Sequence, residues 1–217
     1  EQKREELYSF FKNNLDVENK EYIYEKYNDI QFVALEGGIS RGTVEKMDVQ
    51  GNEIARKFAE KYGGNYTQFL SPAVFSDRNV LDVFMQETAV NYIIDEFKKL
   101  NVIVAGIGVP DGVNHTLEKA GYISGSERKR LVEKGAVGDM CLQFFDKDGN
   151  AEPFRFYNER VAAMSLEEIR RIPSKIAIAG GQRKSEAVIG AIRGGYINIL
   201  ITDIECAKQL YEIAKAL

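Results

Sequence analysis

Short apolar runs rich in Val, Ile and Phe alternate along this chain with amphipathic stretches of ten or more residues. Such alternation is typical of a mainly parallel sheet with helices on both faces, a Rossmann-like α/β architecture, because each crossover between parallel strands needs a covering segment. The apolar runs predict strands at residues 31–35, 66–70, 102–106, 139–144, 175–179 and 198–202.

The stretches between these runs predict helices, of which the clearest lie at residues 51–62, 91–100, 184–192 and 205–216. Gly63-Gly64 ends the first, because glycine readily adopts the left-handed conformation of a helix cap. Apolar residues at helical spacing predict a further amphipathic helix at 5–15. Residues 144–156 carry Asp-Lys-Asp-Gly-Asn between two apolar runs, which predicts a hairpin.

No linker, low-complexity tract or internal repeat interrupts the 217 residues. A chain of this length with 44% hydrophobic residues can bury one substantial core, so residues 1–217 are predicted to form a single domain. No apolar run approaches the roughly 20 residues that a membrane helix needs, so we expect no membrane span.

The charge of the chain restricts its partners. Its formal net charge is −4 and its pI is about 5.3, so it has no overall basic field. Non-specific attraction to DNA phosphates needs clustered Lys and Arg, and we therefore do not expect this chain to bind DNA alone.

The two cysteines, Cys141 and Cys206, lie far apart in the sequence and lack the spacing of metal ligands. They predict two free, buried thiols, which suit a reducing compartment because disulfides are typical of secreted proteins. With no signal-like start in the sequence, this predicts a cytoplasmic protein.

Glycine stands at the ends of several predicted strands. Gly37-Gly38 follow the first strand, and Gly106 and Gly108 end the third. The crevice beyond the carboxyl ends of the strands is where open α/β sheets bind ligands, because loops and helix N-termini meet there. These glycines therefore predict one shared pocket. The alternative is that each of them only permits a tight turn.

Residues 176–184 form a buried strand, the pair Gly180-Gly181 and a helix start that carries Arg183 and Lys184. Cations at a helix N-terminus oppose the helix dipole, at a cost of ~0.3–1 kcal/mol each. That cost suggests an anion nearby, such as a phosphate that accepts backbone N–H bonds and neutralises Lys184. The alternative is a solvated lysine on a helix face.

Asp139 starts a predicted strand among apolar neighbours, where a carboxylate needs partners. It could accept hydrogen bonds from sugar hydroxyls, pair with a lysine or cap a turn. Gln50 lies on the loop before the helix at 51–62, and Asn52 is a candidate for the N-cap of that helix.

Taken in order, these motifs resemble the C-terminal sugar-binding domain of the SorC/DeoR family of bacterial transcription regulators. The resemblance runs from about Phe32 to the C-terminus. It rests on Gly37-Gly38, Gln50-Gly51-Asn52, Leu70-Ser71-Pro72-Ala73, Gly106-Ile107-Gly108, Gly135-Ala136-Val137-Gly138-Asp139, residues 145–149 and 179–184, and Leu200-Ile201-Thr202-Asp203.

The resemblance implies a fold similar to that of phosphosugar isomerases, glucosamine-6-phosphate deaminase and coenzyme A transferases. It implies a phosphorylated sugar as effector and no cofactor. Asp139 takes the place of the acidic residue that binds sugar hydroxyls, Lys184 that of the lysine that meets phosphate or hydroxyl oxygens, and Gln50 that of a polar loop residue. The predicted ligand-binding residues are Gly37, Gly38, Gln50, Gly106, Gly108, Asp139 and Lys184.

The resemblance also implies a homodimer or homotetramer that reaches DNA through a helix-turn-helix domain. Family members carry an earlier strand and a Gly/Ser/Thr phosphate loop, whereas no glycine precedes Gly37 here. We therefore expect this strand, its loop and the DNA-binding domain to be absent from the printed chain.

An enzyme of the same fold is the main alternative. A sugar-phosphate isomerase or deaminase could use Asp139 or Glu87 as base and Lys184 as phosphate anchor. No nucleophile elbow, P-loop, zinc pattern or dinucleotide fingerprint is present, and no second acid or base is expected near Asp139, which favours a regulator. A third possibility is an oligomerisation domain that responds to no ligand.

Overall fold

The computed structural model describes residues 29–38, 50–110 and 116–215, so the helix predicted at 5–15 lies outside the described residues. The strands are β1 (Gln31–Val33), β2 (Asn65–Thr67), β3 (Val102–Gly106), β4 (Gly138–Met140), β5 (Gln143–Phe145), β6 (Ser174–Ile178) and β7 (Ile199–Ile201). The α-helices are α1 (Gly51–Tyr62), α2 (Arg78–Met85), α3 (Thr88–Lys99), α4 (Thr116–Lys119), α5 (Gly125–Glu133), α6 (Arg155–Asn158), α7 (Leu166–Arg171), α8 (Ser185–Arg193) and α9 (Ile204–Lys215). Short 3₁₀ helices occupy Glu152–Phe154 and Gln182–Lys184.

The described strands form two parallel sheets and one antiparallel pair, and the prevalence of parallel pairing among helices confirms the α/β prediction. β1 pairs with β2, and β3, β6 and β7 pair in that order. The register places Val104 beside Ile176 and Ile176 beside Ile199. On one face of this sheet Ile103 and Ala177 are buried in the main core.

Local signals fix several helix ends. α1 ends at Gly63, which has a φ of 80° and donates its backbone N–H to the Ala59 carbonyl at 2.8 Å, so the predicted left-handed cap is confirmed. α5 and α7 each begin with a capping box, in which a serine and a glutamate satisfy each other's backbone N–H groups. α3 is longer than predicted, and α2 was not predicted.

The segment predicted as one strand at 139–144 is instead two antiparallel strands, β4 and β5. Cys141 and Leu142 form the turn between them, with φ values of 49° and 64°. Positive φ at two central residues is the geometry of a two-residue hairpin turn, which usually carries Asn or Gly. The prediction was wrong because neither residue type signals such a turn.

The hairpin predicted at 144–156 is also wrong. The Asp146 carboxylate accepts hydrogen bonds from the backbone N–H groups of Asp148 and Asn150, at 2.9 and 2.8 Å. The chain then enters the 3₁₀ helix Glu152–Phe154, because Pro153 fixes φ and cannot donate to a strand ladder. The turn was located correctly, but a helix follows it.

The β4–β5 hairpin separates two apolar clusters. Met140 and Phe145 pack in the main core, whereas Leu142 and Phe144 pack in a second cluster with Tyr157. The Phe144 and Tyr157 rings meet edge to face with centroids 5.2 Å apart. The hairpin is therefore buried on both faces, and the position of Asp139 within it is fixed by packing on each side.

No helix in the described ranges is long and apolar enough to cross a membrane.

Gly149 offers a test of how closely the turn after β5 packs against α8. Its φ is 78°, and a methyl group there would come within 2.2 Å of the Gly194 backbone nitrogen. We expect Gly149→Ala to lower the free energy of unfolding by about 3 kcal/mol or more, from left-handed strain plus overlap with backbone. Urea unfolding followed by circular dichroism measures this change.

Gly135→Ala is the matched control for that experiment. Gly135 has a similar φ of 88°, but a methyl group there meets no atom within 4 Å. It should cost only the strain, about 1–2 kcal/mol. Equal losses in the two variants would show that the contact between the turn and α8 is loose.

Candidate functional site

A cavity of about 1140 Å³ lies along β1 and β3. Every residue of both strands lines the cavity. Because successive side chains of a strand point to opposite faces, a cavity that touches all of them borders the edge of each strand and not one face of a sheet. Within the described strands, β1 pairs only with β2 and β3 only with β6. The cavity therefore lies between the two-stranded parallel sheet β1–β2 and the three-stranded parallel sheet β3–β6–β7, and it reaches the loop after β3.

A pair of backbone hydrogen bonds with Gly108 positions Asp139 at this cavity. Its N–H and C=O pair with those of Gly108, at 3.2 and 2.9 Å, which ties the β4–β5 hairpin to the loop after β3. A methyl group at Gly108 would come within 1.9 Å of the Asp139 Oδ1 atom. Gly108 is thus required because the carboxyl group of Asp139 lies directly over its Cα.

The carboxyl group of Asp139 is buried and incompletely paired. The side chain is 6% exposed, and Oδ1 has no hydrogen-bond partner in the described part of the chain. Burial raises the pKa of Asp139 to about 6, and the nearby Lys184 ammonium opposes this rise. A buried oxygen without a donor is costly, which makes Asp139 a candidate acceptor for ligand hydroxyls.

Lys184 lies at the end of the 3₁₀ helix Gln182–Lys184 and is half-buried. Its Nζ atom donates a hydrogen bond to the Ile107 carbonyl and lines the cavity near Asp139. The alternative of a lysine solvated on a helix face is therefore wrong. The ammonium group is held between the loop after β3 and the loop after β6.

The loop that carries Lys184 is anchored by Asp203. One carboxylate oxygen accepts the Gly181 N–H at 2.6 Å, and the other accepts the Cys206 N–H in the first turn of α9 at 2.8 Å. A methyl group at Gly180 would come within 2.6 Å of the same carboxylate. The glycine pair after β6 thus lets Asp203 approach and fix the start of the 3₁₀ helix.

Glu36 is a cavity residue that was not predicted from the sequence. It lines the cavity, and its backbone is held by an antiparallel bridge to Ala163. Burial and, second, the Asp139 carboxylate raise the pKa of Glu36 to about 7. The expectation that no second acid or base lies near Asp139 is therefore wrong. The available signal was an acidic residue between an apolar strand and Gly37-Gly38.

Cys141 also lines the cavity and is half-buried, not fully buried as predicted. Burial, Glu36 and Asp139 together raise the pKa of its thiol well above the usual value. Cys206 is buried, and both cysteines are free, as predicted. The Cys141 thiol thus stays protonated at neutral pH.

Gly37, Gly38 and Gln50 lie beside the cavity and do not line it, although their neighbours Glu36 and Gly51 do. A methyl group at Gly38 would come within 3.5 Å of the Gln50 Oε1 atom and within 2.3 Å of the Asn52 Nδ2 atom. The N-cap of α1 is Gln50, so the prediction of Asn52 as N-cap is wrong.

Asn52 instead forms two hydrogen bonds with Phe69 in the loop after β2. Its amide donates to the Phe69 carbonyl at 3.1 Å, and its carbonyl oxygen accepts the Phe69 N–H at 2.7 Å. This contact holds the start of α1 against the loop after β2. The other predicted site residues, Gly106, Gly108, Asp139 and Lys184, all line the cavity.

Across the three described ranges, no cluster of His, Cys, Asp and Glu side chains could hold a metal ion. Glu87 is exposed at the N-cap of α3 and does not line the cavity, so the structure does not bring it to Asp139.

Known proteins resemble this chain over most of its length. Residues 14–212 match the family model Sugar-bind, described as "Putative sugar-binding domain". The deoxyribonucleoside regulator of Bacillus subtilis (strain 168) is 32% identical over 182 residues, which cover 83% of this chain and 56% of the relative. Transcriptional regulator LsrR of Enterobacter sp. (strain 638) is 29% identical over 145 residues, 66% of this chain and 45% of the relative.

Solved structures show the same architecture. The "Putative Sugar-Binding Domain of Transcriptional Repressor" from Vibrio fischeri has a TM-score of 0.75 and 29% identity, and the match covers 87% of this chain and 72% of that one. The full-length sorbitol operon regulator SorC from Klebsiella pneumoniae shares the fold, with a TM-score of 0.73, 23% identity and coverage of 83% and 57%.

This chain spans about half the length of the curated relatives that it matches. The family model covers nearly all of it, and the relatives are transcription regulators. The chain belongs to the sugar-binding domain family of SorC/DeoR-type bacterial transcription regulators.

Proposed function

We propose that this chain is the effector-sensing domain of a bacterial transcription regulator and that its effector is a phosphorylated sugar. The observation that carries the proposal is the buried Asp139 carboxyl group, which lies near the Lys184 ammonium in a large cavity and whose Oδ1 atom finds no hydrogen-bond partner among the described residues. A carboxylate accepts hydrogen bonds from sugar hydroxyls, and an ammonium group binds phosphate.

The remaining predicted residues supply backbone. Gly106 lets a ligand approach the main chain after β3, since a glycine removes the side chain that would separate them. Gly108 and Gly38 act indirectly, because the space beside their Cα atoms holds the Asp139 carboxyl group and the Asn52 amide, and Gly37 lies against the backbone of Ser71 and Pro72. Gln50 adds an amide next to Gly38. In this arrangement the ligand lies between the loops after β1, β3 and β6.

A regulator reaches its operator through a DNA-binding domain, so effector binding here acts on DNA affinity through the arrangement of subunits. We infer a homodimer or homotetramer for the full regulator. The coupling must be reciprocal, because operator DNA changes effector affinity by the same factor that effector changes operator affinity.

The pKa values of Glu36 and Asp139 lie near neutral pH, as an isomerase requires of its acid and base. The decisive experiment must therefore detect conversion of the sugar as well as binding. Thermal melting of the purified chain against fructose 1,6-bisphosphate, deoxyribose 5-phosphate and sorbitol 6-phosphate, with product analysis, provides both. A saturating effector should add roughly 2.7 kcal/mol at 100 times its dissociation constant. A melting shift with unchanged sugar supports the sensor, and conversion of the sugar identifies an enzyme.

Lys184→Ala should weaken binding of the effector by about 10–100-fold, because a charge-assisted hydrogen bond contributes roughly 1.5–3 kcal/mol. Isothermal titration calorimetry measures this loss. Lys208→Ala, which removes an exposed lysine of α9, is the control and should leave affinity unchanged. Wild-type affinity in Lys184→Ala would remove this lysine from the site.

Gly108→Ala should disturb the site through Asp139. The added methyl group overlaps the carboxyl group, so we expect a loss of stability of about 1–3 kcal/mol and a large loss of effector affinity. Combining it with Asp139→Ala removes the overlap. The double variant should recover the stability that Gly108→Ala loses, as a double-mutant cycle in urea unfolding would show. Additive losses would mean that Gly108 acts independently of Asp139.

A further inference from the structure

The carboxyl group of Glu36 has neither a hydrogen-bond donor nor an ion-pair partner within the described part of the chain. Its charged neighbour is another carboxyl group, that of Asp139. Glu36 is half-buried, and partial removal of a carboxylate from water without a partner is unfavourable, while a second carboxylate nearby adds repulsion. An isosteric apolar residue would avoid both costs.

The position of Glu36 is nevertheless closely defined. The Gly37 N–H donates to the Ala162 carbonyl at 2.8 Å, and the Met164 N–H donates to the Leu35 carbonyl at 2.8 Å, so hydrogen bonds on both sides fix the backbone. The Glu36 side chain packs over Gly51, where an added methyl group would lie 3.6 Å from Cγ. Its carboxyl group therefore lies at the cavity wall near the first turn of α1.

We propose that Glu36 is a second hydroxyl-binding carboxylate that acts together with Asp139, so that the effector is a polyol phosphate with hydroxyl groups that donate to both. This inference rests on the proposed function and names the part of the effector that the site recognises. Hydroxyl donors placed at the two carboxylates supply the missing hydrogen bonds and offset the repulsion between them. Lys184 remains available for the phosphate.

The proposal has a consequence for protons. With a pKa of about 7, Glu36 is partly protonated at pH 7. Hydroxyl groups that donate to the ionised form stabilise it, so binding lowers this pKa and releases a proton to the buffer. The other charged groups that line the cavity are Asp139, Arg183 and Lys184 at this end and Asp29, Glu96 and Lys99 elsewhere.

The test compares Glu36→Ala, Glu36→Gln and Glu96→Gln with the wild-type protein. Glu96 lines the same cavity on α3, before the start of β3, whereas Gly108 and Asp139 lie after its end, so Glu96→Gln is the matched control. The probes are fructose 1,6-bisphosphate, ribose 5-phosphate, deoxyribose 5-phosphate and sorbitol 6-phosphate. Calorimetry at pH 7 in two buffers of different ionisation enthalpy gives both affinity and the number of protons released, and thermal melting confirms that each variant is folded.

For the probe that binds the wild-type protein most tightly, Glu36→Ala should weaken binding at least ~10-fold, the factor for a lost charge-assisted hydrogen bond. Glu36→Gln keeps the shape and one acceptor, so it should lose less affinity but abolish most of the proton release. Glu96→Gln should change neither quantity.

Wild-type affinity in Glu36→Ala, or undiminished proton release in Glu36→Gln, would overturn the role of Glu36 while leaving the sensor intact. If no probe binds the wild-type protein, the proposed function itself fails. The two failures are therefore distinguishable.

Discussion

The backbone hydrogen bonds between Gly108 and Asp139 determine the geometry of the candidate site. Two backbone hydrogen bonds join a loop after β3 to a hairpin that lies 30 residues further along the chain, and the absence of a side chain at Gly108 admits the carboxyl group. Because the hairpin is packed between two apolar clusters, Asp139 cannot retreat to solvent. The energy of core packing thus keeps an incompletely paired carboxyl group beside a cavity, where it is available to a ligand.

The site also depends on how its lysine is restrained. A lysine in solution samples many rotamers, and ordering it costs free energy. Here Asp203 fixes the Gly180-Gly181 loop and the Ile107 carbonyl accepts a hydrogen bond from Lys184, so part of that cost is met before any ligand arrives. Such preorganisation improves affinity without adding a contact.

Sequence patterns predicted the elements well where one rule decides them. Parallel strands next to glycine pairs, the left-handed cap at Gly63 and the cavity position of Lys184 all follow from local chemistry. The failures arose where tertiary packing decided the result. Cys141 and Leu142 adopt a turn that their residue types disfavour because the flanking strands are buried, and Asn52 binds Phe69 in place of capping its helix.

Glu36 escaped the sequence analysis for a related reason. A single glutamate at the end of a strand is ordinarily exposed, and only the folded chain shows that it lies near Asp139, a residue more than 100 positions away. The pKa values of the cavity residues depend on contacts between segments that are distant in the sequence. Composition and periodicity do not report such contacts.

No described strand pairs with the edges of β1 and β3 that border the cavity, and this has a mechanical consequence. Glu36 follows β1, whereas Asp139 and Lys184 are attached to the loops after β3 and β6, and within the described strands no ladder of hydrogen bonds connects these two parts of the structure. In the proposed function, a ligand that contacts both parts would act as a crosslink between them. Its size and shape would then set the spacing between the two parts, and the dimensions of a small molecule would be converted into a displacement of the protein surface.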